Sequence, residues 1–206
     1  MTIWVVRHGQ TDANADRLLL GRTDIDLNDV GRAQAQRLAN VLPAGARIIS
    51  SPLLRCRSTA IAIAKQGGGA PETAVGRLEA GAYEVDHRLV ELDFGEYDMH
   101  DVGSVPPEVW QQWASDVHFA PPEGESVAGL FSRVSEVLDE MRVKAIESDV
   151  VLVTHMFPIK AALTWALGVG AEASWRSFVS VASITTIDVS LRGPVLRSFN
   201  IDTHLE

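Results

Sequence analysis

Two apolar runs in this chain each stop at a histidine. Ile3-Trp4-Val5-Val6 leads into Arg7-His8-Gly9, and Asp149-Val150-Val151-Leu152-Val153-Thr154 leads into His155. Both runs read as short buried strands. If both lie centrally in a parallel sheet, their carboxyl ends share an edge, which is where open α/β sheets place their ligands. The two imidazoles could then meet. A guanidinium beside an imidazole, Arg7 beside His8, suits an anion that must be both held and attacked. Arg55, on the helix after the second strand, lies near the same edge.

The elements that must deliver these groups follow from periodicity and punctuation. Gly9 lets the chain turn sharply after the first strand. Residues 12–27 carry little apolar periodicity and read as a loop folded over the site. Asn28 or Asp29 caps a helix running to about Leu42, with Val30, Ala33, Leu38 and Val41 on its inward side. Arg47 to Ser51 is a second strand, and Pro52 opens a helix that runs to about Lys65. Gly67-Gly68-Gly69 is a break, a short helix is conceivable over 77–80, and Tyr83 to Arg88 reads as a third strand. Residues 96–124, rich in Pro, Gly, Asp and Trp, read as a lid or cap rather than a separate domain, with Trp110 and Trp113 on a short helix. A long helix then ends near Glu147 and buries Val127, Leu130, Phe131, Val134, Val137, Leu138 and Met141. A helix from about Pro158 to Leu167 follows His155, and two strands, 183–190 and 195–201, form a hairpin through Arg192-Gly193-Pro194. Strands alternating with helices predict a single three-layer α/β/α sandwich with a mainly parallel central sheet.

Composition narrows the function classes. The chain has 206 residues, an apolar fraction of 46% and charged residues at 22%, the profile of one globular domain. A formal net charge of -9 argues against nucleic-acid binding, because phosphate-backbone affinity needs clustered cations. It leaves a small phosphorylated substrate open, since two arginines set their own local potential. The lone cysteine, Cys56, excludes an internal disulfide, and neither a signal peptide nor a membrane span is visible. A cytoplasmic location is expected. No metal-ligand spacing appears, so no metal or cofactor is expected. Oligomeric state stays open.

The motifs, taken together, resemble the histidine phosphatase superfamily, the phosphoglycerate mutase-like enzymes. Arg7-His8-Gly9 matches its signature, and the stretch Ser50 to Ala60 its second motif, whose first arginine is Arg55. Glu91-Leu92-Asp93-Phe94-Gly95 matches the segment with the acid, and Val153-Thr154-His155 the second histidine. Gly21-Arg22-Thr23-Asp24, with Leu27 and Gly31, matches the loop after the first motif, and Gly124-Glu125-Ser126 the start of the long helix. All occur in the family's order. The resemblance implies the phosphoglycerate mutase-like fold and a phosphoric monoester hydrolase of the histidine acid phosphatase type. It implies catalytic roles for Arg7, His8, Arg55, Glu91 and His155. It implies substrate contacts from Arg7, Asn14, Gly21, Thr23, Arg55, His155 and Met156.

The chemistry suits those residue types. A phosphoryl group in transfer spreads negative charge over its equatorial oxygens, which Arg7 and Arg55 can meet with paired donors. His8 attacks only with a free ring nitrogen, so its other nitrogen must carry the proton, fixed by a backbone carbonyl or a similar acceptor. The product would be a phosphohistidine. A protonated His155 would add a third positive group. Glu91 is chosen as proton donor over Glu84, Asp93 and Glu96 because it holds the family's position before Phe94-Gly95. Burial should raise its pKa.

Departures bear on substrate preference. Met156 follows the second histidine where the family usually has glycine, Ser58 stands where Gln is frequent, and Lys160 where Arg is. A cysteine phosphatase is excluded because the arginine its loop needs, six residues after Cys56, is Ala62. No Walker sequence occurs. Phosphohistidine transfer in a cofactor-dependent mutase, and a non-catalytic phosphoester-binding relative, are the alternatives. The absence of a basic insertion favours hydrolysis over the first, and the complete residue set disfavours the second. Selectivity should lie in residues 97–123 and 20–23.

Overall fold

The structure, a computed structural model, describes residues 1–66, 83–144 and 148–206. The glycine break at 67–69, the short helix over 77–80 and the expected end of the long helix lie outside the described residues. The strands are β1 (Thr2–Arg7), β2 (Arg47–Ser50), β3 (Glu84–Val85), β4 (Val150–Thr154), β5 (Ile184–Ser190) and β6 (Gly193–Ile201). The helices are α1 (Asp12–Ala15), α2 (Asp29–Val41), α3 (Leu54–Gln66), α4 (Pro107–Ser115), α5 (Val127–Lys144) and α6 (Met156–Leu167). No helix among the described residues is long and apolar enough to cross a membrane.

One sheet of order β3-β2-β4-β1-β5-β6 runs through the molecule. β3, β2, β4 and β1 pair in parallel, while β5 and β6 add an antiparallel edge. β4 is buried at all five positions, as expected of a central parallel strand covered on both faces. Alternation along it divides the core in two. Val150 and Leu152 join α4, α5 and α6 on one face, and Val151 and Val153 join α2 and α3 on the other. β1 does the same, with Ile3 and Val5 on the first face and Val6 on the second. The sandwich is therefore three-layered, as predicted.

Register carries the functional consequence. Arg7 pairs with Thr154 across the β1–β4 ladder, and Ser50 with Val153 across β2–β4. The residues just past those pairs, His8, His155 and Ser51, emerge side by side at one carboxyl edge. His8 N donates to Thr154 O at 3.0 Å, and Ser51 N to Val153 O at 2.9 Å, so the ladder continues one step beyond the strands.

Several expectations need correction. The 12–27 segment is not all loop: α1 forms there, with Thr11 and Asn14 making a reciprocal capping box. Asn28 caps α2 by accepting from Gly31 N, but its inner face is Gly31, Ala35 and Leu38, with Ala33 exposed. Val30 and Val41 are 53% and 45% exposed, because the helix is rotated to bring Gly31 against the chain after β1. Gly9 does not adopt a left-handed backbone. It is required because a Cβ there would land on the Gly31 carbonyl, just as a Cβ on Gly31 would land on Gln10 O. The helix after β2 starts at Leu54, two residues past Pro52. The third strand shrinks to Glu84–Val85, since Asp86 accepts from Arg88 N and closes a 3₁₀ turn over His87–Leu89. α6 begins at Met156 rather than Pro158, which still lies in the first turn, where no N–H is needed.

Candidate active site

The carboxyl edge of β1 and β4 opens into a cavity of about 530 Å³. Arg7, His8, Asn14, Glu91 and Met156 lie on its wall. The rings of His8 and His155 meet edge to face, with centroids 5.1 Å apart.

His8 is buried, and its Nδ1 lies 2.7 Å from the carbonyl oxygen of Gly9. A carbonyl can only accept, so Nδ1 carries the proton and Nε2 keeps its lone pair. Burial holds the ring's pKa well below 6.5, helped by the charges of Arg55 and Arg7 and opposed by the Gly9 hydrogen bond. The imidazole is therefore neutral at physiological pH.

Arg55 and His155 stand in a layer behind His8, both fully buried and off the cavity wall. Arg55 donates from Nε to His155 Nδ1 at 3.2 Å, from Nη1 to Thr23 O at 2.9 Å and from Nη2 to Gly21 O at 2.7 Å. His155 Nδ1 must then be unprotonated, and Nε2–H faces Ser51 Oγ at 2.8 Å. Burial lowers the His155 pKa well below 6.5, with Arg55, His8 and Arg7 adding to the effect. Among two guanidiniums and a second imidazole, burial favours the neutral ring, whereas the sequence reading made His155 a third positive group only if protonated. Cys56 packs inward beneath it, its thiol 3.4 Å from Thr154 O, and burial pushes its pKa up.

Gly21 and Thr23 do not reach the cavity wall. Their donors are taken by Asp98, which accepts from Gly21 N at 2.6 Å, Arg22 N at 3.1 Å, and Thr23 N and Oγ1 at 2.8 Å each. Their carbonyls hold Arg55. The loop therefore positions the guanidinium. Asn14, by contrast, spends its Oδ1 on Thr11 N and Oγ1, which leaves its amide donors for the cavity it lines.

Among the described residues Glu91 is the only acid on the wall. Its Oε1 accepts from Leu92 N and Phe157 N, and Oε2 from Met156 N at 3.0 Å, so it sits on the amino end of α6. Burial raises its pKa above the ordinary carboxylate value, against the pull of the Leu92 N–H, Arg7 and Arg55. Its backbone is fixed from α5: Arg133 donates to the carbonyls of Val90 at 2.8 Å and Glu91 at 3.1 Å, and is itself held by Glu125 at 2.8 Å. Arg7 donates to Val179 O at 2.7 Å, while its Nε has no partner among the described residues. Desolvation lowers its pKa to about 10, which leaves it charged.

Asp98, Arg133 and Ser51 are the supporting residues that sequence reasoning missed. Each partners a group far away in the chain, and no local pattern announces it. Trp113 is buried against Phe94 at 5.9 Å and Tyr97 at 5.8 Å and does not line the cavity.

A model of the histidine phosphatase superfamily (branch 1) matches residues 3–202. Phosphoserine phosphatase 1 of Hydrogenobacter thermophilus is 31% identical over 209 residues, which is 98% of this chain and 92% of that one. Bifunctional protein Rv2228c of Mycobacterium tuberculosis is 32% identical over 187 residues, covering 88% of this chain and 48% of the relative. This chain therefore spans about half the length of that relative. Among solved structures, mycobacterial glucosyl-3-phosphoglycerate phosphatase Rv2419c, complexed with VO3, superposes with a TM-score of 0.82 at 26% identity, over 98% of this chain and 99% of that one.

Proposed function

The chain belongs to the histidine phosphatase superfamily, and on that footing we propose that it is a metal-independent phosphomonoesterase that hydrolyses a small phosphorylated metabolite through a phosphohistidine on His8. The observation that carries this reading is the His8 ring: neutral, locked through Nδ1 to Gly9 O, with Nε2 unblocked at a cavity wall that also holds Arg7 and Glu91. Likeness to a phosphoserine phosphatase and to a glucosyl-3-phosphoglycerate phosphatase supports hydrolysis.

In the first step Nε2 of His8 bonds to phosphorus and the ester P–O bond breaks. Glu91, whose burial favours the protonated form, gives its proton to the leaving oxygen. In the second step water attacks phosphorus, the P–N bond breaks and Glu91 takes the proton back. Guanidiniums supply the positive charge that a metal would otherwise bring. Arg7 is on the wall, and Arg55 has used three of its five N–H donors, which leaves two. Burial, with Arg55 and Arg7 adding to it, keeps His8 unprotonated, so the nucleophile is ready near neutral pH. The single, buried Cys56 supports a cytoplasmic setting.

The test is p-nitrophenyl phosphate turnover in a metal chelator, with release of inorganic phosphate as readout. The wild-type chain should turn over, and His8→Ala should lose at least about a thousandfold in kcat. Turnover that depends on added magnesium, or that survives His8→Ala, would overturn the assignment.

A further inference from the structure

Arg17 follows α1 at a backbone φ of 60°, in the left-handed region that favours glycine. Its main chain is tied on both sides. Arg17 N donates to Asn14 O at 3.3 Å, and its carbonyl accepts from Val102 N at 3.1 Å. Leu18, next in the chain, bridges to Asp101, in the segment before α4. The fold needs a turn at this position, and an arginine is a strained way to make one. Yet its guanidinium has no hydrogen-bond or ion-pair partner among the described residues, so no polar contact of its side chain holds the fold.

Arg17 is exposed, and it is among the residues that line the same cavity as His8 and Glu91. Arg7 belongs to the phosphoryl end. Glu91 is occupied with the α6 amides and Leu92 N, so no acid on the wall competes for Arg17. Between these charged groups the wall is largely apolar, with Leu18, Leu20, Val102 and Phe178 among its members. Phe178 is 71% exposed, an aromatic face left open at the cavity. A volume of about 530 Å³ falls in the range that accepts ligands well above three-carbon size.

We propose that Arg17 is a specificity-determining residue that pairs with a second anionic group on the substrate, a carboxylate or a second phosphate set apart from the reacting phosphoryl group by an apolar or ring-containing body. This deepens the phosphomonoesterase reading and rests on it. A phosphomonoester with no second charge leaves Arg17 unpaired. A substrate with both anions is held at two points and gains orientation as well as affinity.

The experiment compares kcat/KM for phenyl phosphate, 3- and 4-carboxyphenyl phosphate and 1,4-phenylene bisphosphate, in wild type, Arg17→Gly and Arg17→Lys. The wild type should prefer at least one doubly anionic compound over phenyl phosphate by about fivefold, the upper range for a solvent-exposed ion pair. Arg17→Gly should bring that ratio close to one, and Arg17→Lys should restore part of it. Because glycine suits the left-handed backbone, Arg17→Gly should melt at or above the wild-type temperature, which separates lost selectivity from lost fold. The carboxylate and bisphosphate arms identify which oxyanion is preferred. A ratio unchanged by Arg17→Gly for all three compounds refutes the proposal. If the wild type hydrolyses none of the four, the phosphomonoesterase reading fails. Calorimetric binding of the same compounds then decides Arg17 by the same ratio.

Discussion

Removing the Asp98 carboxylate should disable Arg55 without touching it. Asp98 Oδ1 accepts from Gly21 N and Met99 N, and Oδ2 from Arg22 N, Thr23 N and Thr23 Oγ1. The carbonyls of Gly21 and Thr23, in the same loop, receive Arg55 Nη2 and Nη1. Hydrogen bonds to a charged group contribute about 1.5–3 kcal/mol each. Asp98 is only partly buried, so water replaces some of them on deletion. A net loss of about 3 kcal/mol is a reasonable figure for Asp98→Ala, equivalent to one or two bonds not recovered. For a domain of this size that lowers Tm by roughly 6–12 °C. If the loop's order is what orients Arg55, much of the same loss appears in kcat/KM, about tenfold to a hundredfold. Asp98→Asn can keep its amide oxygen at the Oδ2 position, where three donors converge, and should lie between Asp98→Ala and wild type. The assays are p-nitrophenyl phosphate kinetics and calorimetric melting of wild type, Asp98→Ala, Arg55→Ala and the double variant. Positioning through Arg55 requires the double variant to be little worse than Arg55→Ala alone. Full additivity, or a lowered Tm with kcat/KM within about threefold of wild type, would refute the reasoning.

Two further substitutions probe the site's buried charges. Glu91 must hold a proton to act as an acid, and its pKa is raised by burial, so kcat/KM for an alkyl phosphate should fall as pH rises through that value. Glu91→Gln should remove this limb and cost about a hundredfold or more on alkyl phosphates, but far less on p-nitrophenyl phosphate, whose leaving group needs little protonation; equal losses on both substrates would contradict the assignment. Lys160 is 6% exposed and lies over the rings of Phe157 and Trp175 at 5.0 and 5.8 Å, yet its pKa is lowered from 10.5 to about 8, chiefly by burial. With burial dominant, between those two values the unfolded chain binds the extra proton. Stability should rise with pH across that window, and Lys160→Met should flatten the rise and lift Tm at pH 7 by a few degrees, about 1–2 kcal/mol. A lower Tm for Lys160→Met at pH 7 would show that the ring contacts outweigh burial.

Much of the site was legible because strand chemistry is local. The apolar runs before His8 and His155 are each unbroken, and because successive side chains point to opposite faces, an unbroken run supplies both faces of a buried strand. Two such strands in one parallel sheet must bring their last residues to a common edge. Helix rotation was less legible. Val30 and Val41 follow helical spacing, yet they face outward because the approach of Gly31 to Gln10 decides which side of α2 turns in. The third strand was overread because the Asp86 side chain captures Arg88 N and ends the extended run.

By itself the sequence determined the fold class and the meeting of Arg7, His8, Arg55 and His155 at the carboxyl edge, since both follow from apolar runs and the order of the elements; Glu91 and Asn14 came from the resemblance to the family's motifs. Only the tertiary structure decided which nitrogen of His155 faces Arg55, the clamp that the carbonyls of Gly21 and Thr23 make on Arg55, and the anchoring of Glu91 by Arg133. Each depends on a partner 32 to 100 residues away. Hydrogen bonds and burial act through space, and a pKa is set by what surrounds a group, so these outcomes exist only once the chain has closed around them.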